Sequence, residues 1–128
     1  MKALLLSAAG PISNLSVGEL PLPEPGPNEI RVKVHAVSLN PVDYKTAGRG
    51  NDAWNYPHVL GLDVAGVVDA VGSDVEQWNP FDRVFYHGDL NKAGGYAEYA
   101  ITTAHTTARI PENVSFADAA AIPCAGLT

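Results

Sequence analysis

A chain of 128 residues with a formal net charge of −6 lacks the basic surface that recognition of a phosphate backbone demands, which excludes duplex nucleic acid as the expected partner. Hydrophobic residues make up 46% and charged residues 17%, a balance that excludes disorder and suits one domain burying roughly two thirds of its unfolded surface. The single cysteine forbids an internal disulfide, and the apolar start Met1 to Leu6 meets Gly10 and Pro11 before reaching signal-peptide or membrane-spanning length, so no membrane is expected and the expected compartment is the cytoplasm.

Residues 2–8 read as a first short strand, and the segment from Leu15 to Leu20 as a second that pairs back on it. Prolines then fall at 21, 23, 25 and 27; each removes a ladder donor, so this stretch is an exposed, extended connection. Alternation is clearest from Ile30 to Leu39, a strand with one wet face on which His35 shares the polar phase with Arg31 and Lys33 and is expected to be solvated rather than a ligand. Asn40 then reads as the N-cap of a short helix, with Pro41 at its first position and Asp43 complementing its N-terminus; capping alone accounts for both polar residues. Gly48 and Gly50 are expected to end that turn, and the loop from Asn51 to His58, carrying Trp54, Tyr56 and Pro57, suits either a packed surface loop or the wall of a cleft.

The stretch from Gly61 to Val75 sets Asp63 between glycines ahead of a valine-rich run, the pattern of a buried strand that bends and admits close backbone approach. Asp63 is expected to be a buried structural acid in need of a partner, with Arg83 the expected one. A turn from Trp78 to Asp82, a strand from Arg83 to Tyr86, a polar loop reaching Gly95 and a strand from Tyr96 to Ile101 follow. Short strands joined by turns argue for an all-β barrel or sandwich and against a βαβ repeat. Ser115 and Asp118 open an alanine-rich helix, Ala117 to Ala121, that is expected to end near Pro123. The apolar stop at Ala125 to Thr128 is expected to continue into a further element.

These segments resemble the N-terminal, GroES-like catalytic domain of the medium-chain dehydrogenase/reductase family. The resemblance is carried by residues 24–34, by Asn40-Pro41-Val42-Asp43, by the glycine motif from Gly61, by residues 94–99 and by Ala121 to Thr128. It implies a mainly β fold: a GroES-like, partly open barrel with short helices, whose C-terminal helix leads towards a Rossmann domain. The dinucleotide fingerprint of such a domain is absent from these residues, since Gly94-Gly95 runs into a strand-like segment and not a helix. The expected organisation is therefore one substrate-side domain over residues 1–128, binding NADPH weakly or not at all alone.

Zinc-dependent members of that family hold a catalytic metal through positions that here are Asn40, Leu62 and Cys124, with Asp63 as the adjacent acid. Leucine offers no donor and an amide replaces a thiolate poorly, so no catalytic zinc is expected; with one cysteine, no four-cysteine structural site is expected either. Cys124 reads instead as a small, inert residue at a helix end. The resemblance then narrows to the zinc-independent branch, the quinone oxidoreductase and enoyl reductase type, in which NADPH or NADH delivers hydride to a quinone or an activated double bond. It implies cleft roles for Asn40, Tyr44 and Lys45, a nicotinamide contact at Thr128 and again at Asn40, a small-molecule substrate, and a homodimer formed through the other domain. A stand-alone GroES-like binding or assembly module and a zinc-dependent alcohol dehydrogenase are the alternatives; the aromatic loop at residues 51–58 lacks the glycine-rich mobility a co-chaperonin loop needs.

Overall fold

β3 (Glu29–Val37) and β5 (Asp63–Val71) pair antiparallel at the centre of the computed structural model, which describes residues 1–127. Flanking strands complete a five-stranded antiparallel sheet in the order β7-β3-β5-β6-β8, with β6 at Arg83–His87, β7 at Tyr99–Thr103 and β8 at Ala108–Arg109. A smaller sheet, β2-β1-β4, joins β1 (Lys2–Leu6), β2 (Leu15–Glu19) and β4 (His58–Val59). Neither sheet closes on itself, and the three α-helices among the described residues are short: α1 (Pro41–Arg49), α2 (Phe116–Ala120) and α3 (Pro123–Leu127). The proline-rich stretch at 21–27 forms no strand, as the missing donors require.

The alternation in β3 sorts Ile30 and Val32 inward with Val64, Val68 and Val84, all essentially inaccessible to solvent, and this cluster closes around Trp78, whose indole N–H donates to Ala104 O at 2.9 Å. His35 lies on the wet face, exposed and stacked on Phe116 with ring centroids 4.3 Å apart. The β3–β5 register slips between Val34 and Ala36, opposite Gly66. A Cβ at Gly66 would collide with the Lys33 carbonyl, and one at Gly72 with the carbonyls of Gly26 and Pro27. The glycines of this strand thus make room for neighbouring backbone at a bulge and at its far end.

Three boundaries differ from the sequence expectation. Gly48 lies inside α1, which runs to Arg49 before Gly50 turns out with φ +75°. Residues 96–98 do not begin β7: Leu4 N–H donates to Tyr96 O at 2.8 Å and Glu98 N–H to Lys2 O at 3.1 Å, so this segment is captured by β1 before the chain crosses to β3. The alanine-rich helix starts one residue early, at Phe116, with Ser115 Oγ accepting from Asp118 N–H at 3.0 Å; it ends at Ala120, ahead of Pro123 as expected, and Pro123 then opens α3. Proline is suited to a first helical position because the N–H it lacks would have no intrahelical partner there.

The loop from Asn51 to Pro57 packs inward through Trp54, whose indole N–H donates to Leu90 O at 2.8 Å and whose ring lies 3.9 Å from that of the buried His58. Burial holds the His58 imidazole down to about 4.

Two expectations follow from this packing. Gly66→Ala should destabilise the chain by about 2–3 kcal/mol through overpacking, whereas Gly48→Ala, on the exposed side of α1, should stabilise it by about 0.5–1 kcal/mol; urea denaturation of both variants checks the contrast. Because folded His58 resists protonation, the unfolded chain binds the extra proton. The stability conferred by neutral His58 is therefore complete above about pH 6.5 and is lost as pH falls towards 4, by up to about 3 kcal/mol. His58→Asn should flatten the stability slope across that window.

Candidate active site

The strand β5 begins with Asp63, whose side chain has no solvent exposure. A buried carboxylate costs several kcal/mol unless donors surround it, and here the donors are neutral. Asn40 Nδ2 donates to Asp63 Oδ2 at 3.0 Å, and the backbone N–H of Cys124 donates to Oδ1 at 2.9 Å. Asp63 therefore ties the end of β3 and the start of α1 to the first turn of α3.

Arg83, the partner expected from sequence, is not involved. Its guanidinium donates to Val114 O at 2.6 Å and Pro111 O at 3.3 Å and lies 4.7 Å from the centroid of the Phe116 ring. The ladder explains why: in the β5–β6 register Arg83 faces Val67 while Asp63 faces His87, which separates Arg83 from Asp63 by about 13 Å of strand.

A second buried carboxylate supports the same corner. Asp43 Oδ2 accepts the Asn40 backbone N–H at 2.8 Å and the Tyr96 hydroxyl at 2.7 Å, and that hydroxyl also lies 3.1 Å from Ser38 O. Burial, then the hydrogen bond to Asp43, push the Tyr96 phenol far above its ordinary range, so it stays a protonated donor. Asn40 is consequently held twice, by its backbone through Asp43 and by its amide through Asp63.

Of the other residues singled out by sequence, Tyr44 and Lys45 stand next to one another on the outer side of α1, with Tyr44 57% exposed. Their position on α1 follows from Asn40, but neither side chain joins the Asp63 network. Thr128 lies outside the described residues. Leu62 is buried and brings a hydrocarbon side chain, which offers a metal no donor atom.

His87, which sequence reasoning passed over, enters through the cross-strand pairing with Asp63. Ligand atoms of Asp63, His87 and Cys124 all lie within 4.8 Å of one another. Burial and then the carboxylates of Asp63 and Asp43 raise the Cys124 thiol above its usual range. The only signal of His87 in the sequence is strand register, and the residues alone leave that register open.

Removing the Tyr96 hydroxyl takes one of two donors from a buried carboxylate. Tyr96→Phe should therefore cost about 1–2 kcal/mol and loosen Asn40, measured by chemical denaturation and by faster exchange of the Asn40 amide proton.

Comparison with known proteins agrees with this architecture. The family model described as the alcohol dehydrogenase GroES-like domain matches residues 26–112. A zinc-type alcohol dehydrogenase-like protein of Staphylococcus aureus (strain COL) is 40% identical over 106 residues, covering 83% of this chain and 31% of that protein. The quinone oxidoreductase of Sus scrofa is 43% identical over 105 residues, 81% of this chain and 31% of its own. The solved quinone oxidoreductase from Coxiella burnetii superposes with a TM-score of 0.92 at 38% identity, covering 100% of this chain and 42% of that one. The chain thus spans about a third of the length of the curated relatives it matches. On this combined match of sequence and fold, the chain belongs to the alcohol dehydrogenase GroES-like domain family, within the medium-chain dehydrogenase/reductase oxidoreductases.

Proposed function

We propose that the whole protein is an NAD(P)H-dependent oxidoreductase that reduces a quinone or an activated alkene or carbonyl without a catalytic zinc ion. In this reading residues 1–128 form the substrate side of the cleft. The observation that carries it is the hydrogen bond from Asn40 to the buried Asp63, beside a buried Leu62: an amide and a hydrocarbon take the places of a thiolate and an imidazole. Among the described residues no glycine-rich turn runs into a helix, so the pyrophosphate of the cofactor belongs to a Rossmann domain outside these residues.

A bound nicotinamide supplies the hydride. What this chain supplies is position and donors. The rigid corner at Asn40 fixes the first turn of α1, and α1 in turn presents the Tyr44 hydroxyl and the Lys45 ammonium, both exposed, as donors to the substrate oxygen that gains negative charge. Asp43 and Asp63 stay out of proton transfer; they hold Asn40 through the bonds already described. Thr128 is assigned the contact with the nicotinamide ring, together with Asn40. The substrate is a small molecule, the compartment is the cytoplasm, and a homodimer forms through the second domain. Among the described residues no helix is long and apolar enough to cross a membrane.

In the full-length protein Asn40→Ala should lower kcat/KM for quinones and enones by about 100-fold, the low end of what one positioned donor contributes, and Tyr44→Phe should lower it less. Unchanged kcat/KM in both variants for every accepted quinone and enone overturns the residue assignment. Activity should also survive exhaustive chelation; activity lost to a chelator and restored by zinc overturns the metal-free chemistry.

A further inference from the structure

The large sheet curves so that two strands it does not pair, β6 and β7, line one cavity of about 320 Å³. The β8 ladder stops at Phe85, which leaves the end of β6 facing β7 across the open side of the barrel. Tyr86 and Thr102 both point to the inside of that barrel, since their cross-strand partners Val64 and Ile30 belong to the buried core. They are 5% and 7% exposed, and both line the cavity. Neither hydroxyl is hydrogen-bonded among the described residues, and neither is sealed from solvent. A hydroxyl held nine-tenths out of water normally has a partner within the chain; these two have one direction left in which to bond, and it is the cavity.

We propose that this cavity binds a small organic carboxylate, its headgroup accepting from the Tyr86 and Thr102 hydroxyls and its apolar body lying against Ile101. The cavity is large enough, since small-molecule sites begin at about 300 Å³. A carboxylate has lone pairs for both donors at once, and hydrogen bonds to a charged acceptor are the stronger kind. Lys92 and His105, which line the same cavity, add an ammonium and an imidazole. Lys92 Nζ is steadied 3.5 Å from Glu29 Oε2 and has further protons to donate. The acid on the lining, Asp89, is engaged in its own loop, where Oδ1 accepts the Asn91 N–H at 2.9 Å. A cationic ligand would meet the ammonium, and a bare hydrocarbon would leave both hydroxyls unmet. Alternation along β6 turns Tyr86 away from the face on which His87 pairs with Asp63, so the site is separate from the corner at Asn40 and does not rest on the hydride-transfer reading.

The test is calorimetric titration of the purified full-length protein with benzoate, and with benzyl alcohol as the same ring without the charge. Benzoate should saturate one site per chain and bind at least about 10-fold more tightly than benzyl alcohol. Tyr86→Phe and Thr102→Val, which preserve shape, should each weaken benzoate binding by at least about 10-fold, and Lys92→Met by about 3-fold. Because neither hydroxyl bonds within the chain, both hydroxyl variants should keep or raise the thermal midpoint of the ligand-free protein, which a purely structural role would lower. Lys45→Ala should leave benzoate affinity unchanged, which separates the cavity from the exposed surface of α1. In the unmutated protein, the benzoate ring protons should show nuclear Overhauser contacts to the Thr102 methyl group, a readout that needs no variant. Lack of saturable benzoate binding, equal affinity for benzyl alcohol, full affinity in either hydroxyl variant, lost affinity in Lys45→Ala, or missing contacts to Thr102 overturns the site. None of these readouts is turnover, so the carboxylate site and the hydride-transfer reading stand or fall separately.

Discussion

A carboxylate without solvent is the constraint from which the functional corner of this domain follows. Asp63 cannot be left with bare oxygens in an apolar interior, and no cation reaches it among the described residues. Its needs are met by a side-chain amide from the end of β3 and a backbone N–H from α3, elements separated by most of the chain. Satisfying one acid therefore fixes where α1 starts and where α3 docks. Asp43 repeats the device one helical turn away, with Tyr96 reaching in from another segment. Two buried acids with neutral donors hold the corner through geometry rather than charge pairing, and a network of this kind specifies one arrangement because each donor lost leaves an acceptor unmet.

Much of this was legible in the residues. The alternation of β3, the proline-rich connection, the start of α1 at Asn40-Pro41 and the role of Asp63 as a buried acid all come from local rules, periodicity and capping, that the surroundings do not overturn. Arg83 was misassigned because a list of residues gives the sign of a charge but not the register that carries it away from Asp63. His87 was missed for the same reason in reverse, since only the β5–β6 ladder puts it opposite the acid. The early start assigned to β7 failed where tertiary pairing outweighed local pattern: residues 96–98 alternate like a strand of the large sheet but are drawn to β1.

The candidate site combines parts with different tolerances. Gly66 lies where backbone crosses backbone, and no larger residue fits without moving β3. Tyr44 and Lys45, outside the core, sit on an exposed helical surface where substitution leaves packing intact. The exposed surface of α1 is thus free to vary while the frame beneath it is held by buried hydrogen bonds, which is the usual division between a rigid scaffold and adaptable surface positions.

The short passage from Tyr96 to Glu98 has a wider effect than its length suggests. Its backbone is bonded to Leu4 and Lys2 in the small sheet and, through Glu98 O, to Val34 N–H in the large one at 2.9 Å, while the Tyr96 ring reaches Asp43. The strands of both sheets and the buried acid in the first turn of α1 therefore share one stitch. Opening it exposes edges of both sheets at once, so the two layers behave as a single cooperative unit and the corner at Asp43 cannot loosen without weakening the N-terminal strand.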